Sequence, residues 1–348
     1  MSVAIIGTVG VPACYGGFET LVDNLLGEEL GGVTVYCSRS SYKSRPPTYK
    51  GAKLKYLPFN ANGAQSIIYD AWSMCDAVLK NHRALLILGV SGAIVLPFLR
   101  LFTSARVVTN IDGLEWRREK WGRFARWFLK FSERIAVQYS DVIISDNQAI
   151  ADYVLDEYDV ESTVIAYGGD HALTGSFPER HSCYALSLCR IEPENNCHLI
   201  LEAFLENGCH LKFIGNWEFS DYGRSLKERY SKVPNIEIID PIYNIDLLFE
   251  LRSHCAFYVH GHSAGGTNPS LVEMMFLNRP IICFDCSYNR ATTEDQAFYF
   301  GSAYELAKFN SEKVPISFGS TMREIANRRY TWKAVRQQYL NVLDINFL

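Results

Sequence analysis

The residues best suited to chemistry lie between His260 and Met275, in the order His-Gly-His-Ser-Ala-Gly-Gly-Thr-Asn-Pro-Ser-Leu-Val-Glu-Met-Met. Apolar segments flank this stretch, as expected for a strand, a glycine-rich turn and a helix. Asn268 predicts the N-cap of the helix, and Pro269 fits its first turn. Because a helix start offers backbone N–H groups and the positive end of a dipole, the stretch predicts a phosphate site. An ordinary strand-to-helix loop is the alternative.

Three further residues could serve the same ligand. Arg190 follows a predicted strand, and a guanidinium there can bind a diphosphate with two hydrogen bonds. Glu273 lies in the predicted helix, where it could accept hydrogen bonds from ribose hydroxyls; a residue that only complements the helix dipole is the alternative. Gly215 ends another predicted strand and would let a base or sugar approach closely.

The first half of the chain offers two more strand-end loops. Residues 7–19 hold four glycines, including Gly16 and Gly17, and could wrap a phosphate or a sugar. They do not form Gly-x-Gly-x-x-Gly, which weakens a nicotinamide-dinucleotide interpretation. Asp112 follows a later strand and could orient or deprotonate a hydroxyl. An Asx-turn that ends the strand is the alternative for Asp112.

A basic and aromatic segment follows Asp112. Residues 100–134 contain nine Lys/Arg and four Asp/Glu, although the whole chain has a net charge of −4. Aromatic residues at 121, 124, 127, 128 and 131 alternate with Arg117, Arg118, Lys120, Arg123, Arg126 and Lys130. This pattern favours a peripheral membrane site, with Arg123 and Arg126 as cationic contacts. Stacking on nucleic-acid bases and an ordinary core-facing aromatic stripe are the alternatives.

Composition narrows the class of protein. The 348 residues are enough for two domains, and 48% hydrophobic with 21% charged residues is ordinary for a globular protein. The negative net charge argues against a general nucleic-acid binder. The sequence shows neither a signal peptide nor a long apolar span, and its ten scattered cysteines suit a reducing cytoplasm. The Cys283–Cys286 pair is interpreted as core thiols, with no metal.

Short apolar runs alternate with amphipathic segments, which predicts parallel sheets covered by helices. Strands are expected near residues 3–7, 33–37, 54–57, 85–89, 106–110, 142–145 and 163–167, and again near 184–189, 211–215, 236–239, 256–260 and 281–284. A polar connector at 174–182 separates the two series. We therefore expect an N-terminal Rossmann-like domain over 1–172, a second over 173–328, and a terminal helix over 329–348 that packs back on the first domain. Ligands of such sheets bind at the carboxyl ends of the strands, here in a cleft between the domains.

Together these loops resemble the retaining glycosyltransferases of the GT-B fold, in the large family four. The resemblance spans the whole chain and is strongest over residues 10–19, 110–118, 190–196, 265–273 and 330–332. Ile-Asp-Gly-Leu-Glu-Trp at 111–116 and Gly-Thr-Asn-Pro-Ser at 266–270 are similar to a bacterial branch that contains rhamnosyltransferases of surface-polysaccharide synthesis.

The resemblance implies a sugar transferred from a nucleoside diphosphate, with dTDP-rhamnose as the best guess, to a saccharide on a lipid diphosphate. It implies no metal and no cofactor besides the donor. The protein would act in the cytoplasm, peripherally on the inner face of the plasma membrane. Catalysis is assigned to Asp112, Arg190 and Asn268. The implied binding residues are Gly16, Gly17, Arg190, Asn195, Gly215, Gly266, Thr267, Asn268, Ser270 and Glu273.

The sequence departs from the family pattern at three positions. Relatives carry Glu-x7-Glu, whereas Gly265 stands here for the first glutamate. Asn195 replaces a lysine, and Asp112 a histidine. His260, His262 and Thr267 are the candidates to replace the missing carboxylate. A nucleotide-sugar epimerase on the same fold and a non-catalytic sugar- or nucleotide-binding subunit are the alternative functions.

Overall fold

A computed structural model describes residues 2–14, 16–27, 32–117, 121–178, 182–309, 315 and 317–344. The chain forms two compact units. The first comprises Met1–Tyr167 and Trp332–Leu348, and the second Gly168–Thr331. The connector at 174–182 thus falls inside the second unit, and its residues 179–181 lie outside the described part.

The first unit is built on a mostly parallel sheet. Its strands, over the described residues, are β1 (Val3–Ile6), β2 (Val33–Ser38), β3 (Thr48–Tyr49), β4 (Ala52–Leu57), β5 (Ala84–Leu88), β6 (Arg106–Asn110), β7 (Val142–Ser145) and β8 (Thr163–Val164). They lie in the order β3-β4-β2-β1-β5-β6-β7-β8, and only β3 pairs antiparallel, with β4. Every residue of β1 and β5 is buried, as expected for central strands covered on both faces.

Helices connect these strands. They are α1 (Gly17–Leu25), α2 (Ser66–Leu79), α3 (Leu96–Leu99), α4 (Arg123–Tyr139) and α5 (Gln148–Tyr158). The chain passes from β1 to β2 in one direction along the sheet, and from β4 through β5, β6 and β7 in the other. Because such crossovers are right-handed, α2, α3 and α4 cover one face and α1 the opposite face. The direction reverses between β1 and β5, which makes these two strands the switch point of the sheet.

The second unit repeats the plan. Its described strands are β9 (Ala185–Leu188), β10 (Leu211–Ile214), β11 (Ile236–Ile239), β12 (Phe257–His260), β13 (Ile281–Phe284) and β14 (Phe298–Phe300). Its helices are α6 (Cys197–Asn207), α7 (Asp221–Tyr230), α8 (Ile245–His254), α9 (Pro269–Phe276), α10 (Ser287–Thr293), α11 (Ala303–Ala307) and α12 (Ser317–Arg329). The strand order β11-β10-β9-β12-β13-β14 puts the switch point between β9 and β12.

The last helix, α13 (Trp332–Val342), belongs to the first unit. Trp332 and Tyr339 are buried in the same apolar cluster as residues of β1 and β5. The Tyr339 hydroxyl accepts a hydrogen bond from Nδ2 of Asn110 at 2.7 Å, and the Val342 carbonyl accepts one from Nε of Arg106 at 2.7 Å. The end of the chain therefore completes the core of the first unit.

None of the described helices has both the length and the apolar character needed to cross a bilayer.

Candidate functional site

Two loops meet at the switch point of the second sheet. The loop after β9 carries Arg190, and the loop after β12 is the glycine-rich stretch. The N–H and hydroxyl of Ser263 both donate to the Glu194 carbonyl, at 3.0 and 2.7 Å, and Nδ2 of Asn196 donates to the Gly261 carbonyl at 2.9 Å. A Cβ at Gly261 would lie 2.2 Å from the Asn195 carbonyl oxygen, so only glycine permits this approach. The two loops form one bonded structure.

Asn268 caps α9 as the sequence predicts. Its Oδ1 accepts hydrogen bonds from the backbone N–H of Ser270 at 3.0 Å and from the Ser270 hydroxyl at 2.7 Å, and Pro269 occupies the first turn. Gly265 has φ +105°, a conformation that residues with a side chain rarely adopt. The side chains of Asn268 and Ser270 thus build the cap, and the positive end of α9 lies beside the Arg190 loop.

Arg190 is the accessible cation of this loop. Its side chain is 59% exposed, and Nε lies 3.8 Å from Oε2 of Glu192, which is a loose contact. Because an exposed ion pair contributes little to stability, the Arg190 guanidinium can leave Glu192 and bind an anion at little energetic cost.

Asn195 differs from Arg190 in being buried. Its Nδ2 donates to the Arg190 carbonyl at 2.7 Å, and its Oδ1 accepts from the ring Nδ1 of His262. Asn195 therefore joins the two loops and fixes the backbone of Arg190. Its direct contact with a ligand stays a prediction.

Glu273 is held by an arginine and a histidine of the second unit. One carboxylate oxygen pairs with Arg252 of α8, and the other lies 3.2 Å from Nε2 of His171. Burial would raise the pKa of Glu273, but Arg252 and His171 outweigh it and hold that pKa below its ordinary value. Gly169 packs against α9 so closely that a Cβ would lie 2.9 Å from the Glu273 nitrogen. The carboxylate is charged and fixed, with lone pairs left for ribose hydroxyls.

Gly215 makes room for protein atoms. A Cβ there would lie 2.4 Å from Cδ1 of Ile191 and 2.8 Å from the Cys189 carbonyl oxygen. The neighbouring Trp217 is fully buried and donates from Nε1 to the Ile239 carbonyl at 3.1 Å, so its ring cannot stack on a ligand. Gly215 lets the Arg190 loop pack down on the end of β10.

The three candidates to replace the missing carboxylate are all buried. The ring of His262 is engaged by Asn195, and its carbonyl accepts from Nδ2 of Asn289 at 2.8 Å. His260 ends β12, and burial lowers its pKa to about 3, so its ring is neutral. Among the described residues, Nε2 of His260 has no hydrogen-bond partner. Thr267 is buried within the glycine-rich loop.

In the first unit, Glu19 organises the loop over residues 7–16. Its Oε1 accepts from the Val9 N–H at 2.6 Å and the Thr8 hydroxyl at 2.8 Å, while Oε2 accepts from the Gly16 N–H at 2.8 Å. A Cβ at Gly17 would lie 3.4 Å from the Tyr167 hydroxyl. The loop returns to α1 as a fixed turn at the switch point of this sheet.

Asp112 lies in the loop after β6. Oδ1 of Asn110 accepts the Asp112 N–H at 2.9 Å, so the Asx-turn exists and Asn110 makes it. Asp112 itself has φ +60°, an uncommon conformation for a residue with a side chain. Burial raises the pKa of Tyr167 well above its ordinary range, and the Asp112 carboxylate raises it further. Asp112 is half-buried near Tyr167, and its contact with a ligand stays a prediction.

A clamp that the sequence analysis does not predict fixes this loop. Glu133 of α4 is buried and accepts from Nε1 of Trp116 at 3.1 Å and from the hydroxyls of Tyr153 and Tyr158, each at 2.6 Å. Nζ of Lys130 lies 4.8 Å from the centre of the Trp116 ring. The signal available in the sequence is that Glu133 is the one acidic residue of the basic helix α4. The clamp ties the loop after β6 to α4 and α5.

Among the described residues, no cluster of three His, Cys, Asp or Glu side chains is placed to hold a metal ion.

Comparison with known proteins identifies the fold. Residues 1–170, just under half of the chain, match a family model described as "Domain of unknown function (DUF1972)". No curated protein matches the sequence. Sucrose-phosphate synthase from Thermosynechococcus elongatus is similar, with a TM-score of 0.78 and 15% identity over 99% of this chain and 98% of its own.

Two further solved structures agree. HepE of Anabaena, in complex with UDP, has a TM-score of 0.75 and 14% identity over 99% of this chain and 100% of its own. A glycosyltransferase from Rickettsia africae has a TM-score of 0.73 and 12% identity over 99% and 97%. At these identities the likeness establishes the fold. The chain has the GT-B fold of two Rossmann-like domains, as the sequence predicted.

Proposed function

We propose that this protein is a glycosyltransferase that takes a sugar from a nucleoside diphosphate bound by its second unit. One observation carries the proposal. The exposed Arg190 and the capped start of α9 come together at the switch point of the second sheet, where ligands of open α/β sheets bind. The fold of the similar synthases and transferases, and the UDP and glucose in the HepE structures, support it.

Each residue has a role that follows from its chemistry. Arg190 neutralises the diphosphate, and the backbone N–H groups of Gly266, Thr267 and Asn268, beside the positive end of α9, bind its oxygens. Glu273 accepts hydrogen bonds from the ribose. Asn195 positions Arg190 from within the protein. Gly16, Gly17 and Asp112 belong to the acceptor side, where Asp112 orients the attacking hydroxyl.

The proposed reaction needs no protein nucleophile. The acceptor hydroxyl attacks the anomeric carbon on the face that the diphosphate leaves, and the bond from that carbon to the diphosphate oxygen breaks. The released diphosphate oxygen takes the hydroxyl proton. Because charge develops on the leaving group, preorganised donors there lower the barrier most, and losing one costs about 100- to 1,000-fold in rate.

The finer assignment follows the family resemblance. We propose retention of configuration, dTDP-rhamnose as donor and a saccharide on a lipid diphosphate as acceptor, in surface-polysaccharide synthesis. Such an acceptor places the protein on the cytoplasmic face of a membrane. The HepE complexes contain UDP-glucose, so UDP-sugars belong in the same test.

Nucleotide binding is the decisive first measurement. Thermal shift with dTDP-, UDP- and GDP-sugars should find one donor that stabilises the protein, by about 2.7 kcal/mol at 100 times its dissociation constant. Arg190→Ala should abolish that shift without changing the midpoint of the free protein. Arg224→Ala, which removes a half-exposed arginine of α7, is the matched control and should keep the shift.

Turnover then separates the functions. Release of nucleoside diphosphate only when a lipid-diphosphate acceptor is present supports transfer. Conversion of the donor without an acceptor identifies an epimerase instead. If the protein showed no nucleotide binding and no turnover with any donor, the proposal would be refuted.

One observation favours a non-catalytic binding subunit as the second candidate. Gly265 contributes no side chain at the position where the resembling family has a glutamate. Nucleotide binding without turnover, together with unchanged cellular polysaccharide in an Arg190→Ala strain, would establish that function.

A further inference from the structure

Large apolar side chains are exposed on α3 and the turn after it, and on the neighbouring α4. They are Phe98, Leu101, Phe102, Phe124, Trp127 and Phe131, and each is between 40% and 79% exposed. The rings of Trp127 and Phe131 stack with centroids 5.8 Å apart, and Phe124 lies 5.9 Å from Trp127. We call these six residues the aromatic face. Exposed apolar patches of this kind mark interaction sites.

The fold puts the aromatic face on one layer of the first unit. Right-handed crossovers place α2, α3 and α4 on the same side of the sheet. The neighbouring α2 adds Trp72 and Ile68, both more than half exposed. The apolar segment over residues 93–102 and α4 are both part of the expected membrane site, and the fold adds exposed side chains of α2 on the same side of the sheet.

Positive charge surrounds the aromatic face. On α4, Arg123 and Arg134 are exposed. Arg126 is half-buried with its Nε enclosed, so Arg123 and Arg134 are the more exposed pair, and the contact expected of Arg126 stays a prediction. The acidic Glu133 is buried under Trp116 and does not offset this charge at the surface.

We infer that the aromatic face and its two exposed arginines insert into an anionic lipid surface. Aromatic and leucine side chains beside arginines are the composition of peripheral helices at the headgroup level. Anionic headgroups complement Arg123 and Arg134. A second copy of this chain fits less well, because a symmetric contact brings the same arginines against each other.

The inference deepens the proposed function by naming the surface that contacts the membrane. It rests on the proposed function only for the reason that the protein would bind a membrane. Vesicle binding and nucleotide binding are measured separately, so either can fail without the other.

The experiment uses co-sedimentation of the full chain with vesicles. Phosphatidylcholine vesicles containing phosphatidylglycerol should bind the protein, phosphatidylcholine alone should bind it weakly, and added salt should reduce binding. Trp127→Ser with Phe131→Ser should weaken partitioning by at least about tenfold, as should Arg123→Glu with Arg134→Glu. Tyr304→Ser, an exposed aromatic residue of the second unit, is the matched control and should bind as the wild type does.

Fluorescence identifies the residue that inserts. Vesicles should shift tryptophan emission to shorter wavelength in the wild type, and Trp127→Phe should lose most of that shift while still binding. Unchanged binding of the Trp127→Ser, Phe131→Ser variant would overturn the inference. So would a wild-type dimer that this variant converts to a monomer, since the face would then belong to a second copy.

Discussion

Arg252 and Glu273 form an ion pair between α8 and α9, with the Arg252 side chain 8% and the Glu273 side chain 15% exposed. His171 lies 3.2 Å from the other carboxylate oxygen. The pair ties the helix that starts at the glycine-rich loop to its neighbour, so a residue assigned to the ligand also supports the fold.

Glu273→Gln should destabilise the second unit by about 3 kcal/mol, because it leaves a buried arginine without its anion. Arg252→Met combined with Glu273→Met should recover much of that loss. The sign of the pH dependence follows from the lowered pKa of Glu273: its stabilisation is present above the ordinary carboxyl pKa and is lost as pH falls through the lowered value. Thermal melts of each variant between about pH 3 and pH 7 measure this. Equal acid sensitivity of wild type and Glu273→Gln would contradict it.

Asn195→Ala tests the bond between the two loops. Removing the amide takes one hydrogen bond from the Arg190 carbonyl and one from the His262 ring, which should cost about 1–3 kcal/mol and weaken nucleotide binding. Asn216→Ala removes an exposed asparagine after β10 and should change neither stability nor nucleotide binding. Titration of nucleotide by calorimetry, alongside thermal melts, checks both effects. If Asn195→Ala lost turnover but kept stability and nucleotide affinity, the amide would instead act on the sugar.

Gly215→Ala should displace the Arg190 loop. The new methyl group would overlap Ile191 and the Cys189 backbone, and backbone cannot be relieved by a rotamer change. We expect about 1–3 kcal/mol of destabilisation and a weaker nucleotide-induced thermal shift. Gly208→Ala is a useful comparison, because its Cβ would meet no atom within 4 Å and its cost would come only from a φ of +68°. Identical nucleotide affinity in both variants would argue against the packing role of Gly215.

The buried Asp70 predicts a loss of stability as pH rises from acid to neutral. It is buried in α2, its Oδ2 accepts from the Ser91 hydroxyl, and burial raises its pKa to about 7 although that bond opposes the rise. The folded protein then binds the Asp70 proton more tightly than the unfolded chain does. Stability from this group should fall as pH rises from about 4 to 7, by up to about 4 kcal/mol.

Asp70→Asn should remove this fall of stability with rising pH. The variant should resemble the wild type near pH 5 and exceed it in melting temperature near pH 8. Parallel melting curves for the two proteins across this range would show that Asp70 is not the titrating group.

Local patterns were enough to predict most of the strands and the cap of α9. The strands Arg106–Asn110, Ile236–Ile239 and Ile281–Phe284 have the bounds expected from apolar periodicity and turn residues. The strands β3 and β14 and the helices from Ser287 to Arg329 were not predicted. Their apolar positions are too few or too irregular to show a period before tertiary packing selects one.

The candidate site was predicted as a set of loops, while the bonds between residues far apart in sequence were not. Strand order, which brings the Arg190 loop beside α9, depends on pairings that no local spacing encodes. For the same reason Asn195 and Gly215 were interpreted as ligand contacts, although their neighbours in space are the Arg190 carbonyl and Ile191.

The return of α13 to the first unit has a consequence for biosynthesis. Asn110 acquires its partner Tyr339 only after 229 further residues have been added, and Trp332 closes the same core. While the second unit is being translated, the first-unit core lacks the side chains of Trp332 and Tyr339 that later bury part of it. The unit that is made first is therefore the last to be finished, and a nascent chain stalled before residue 332 should be a preferred client of ribosome-associated chaperones.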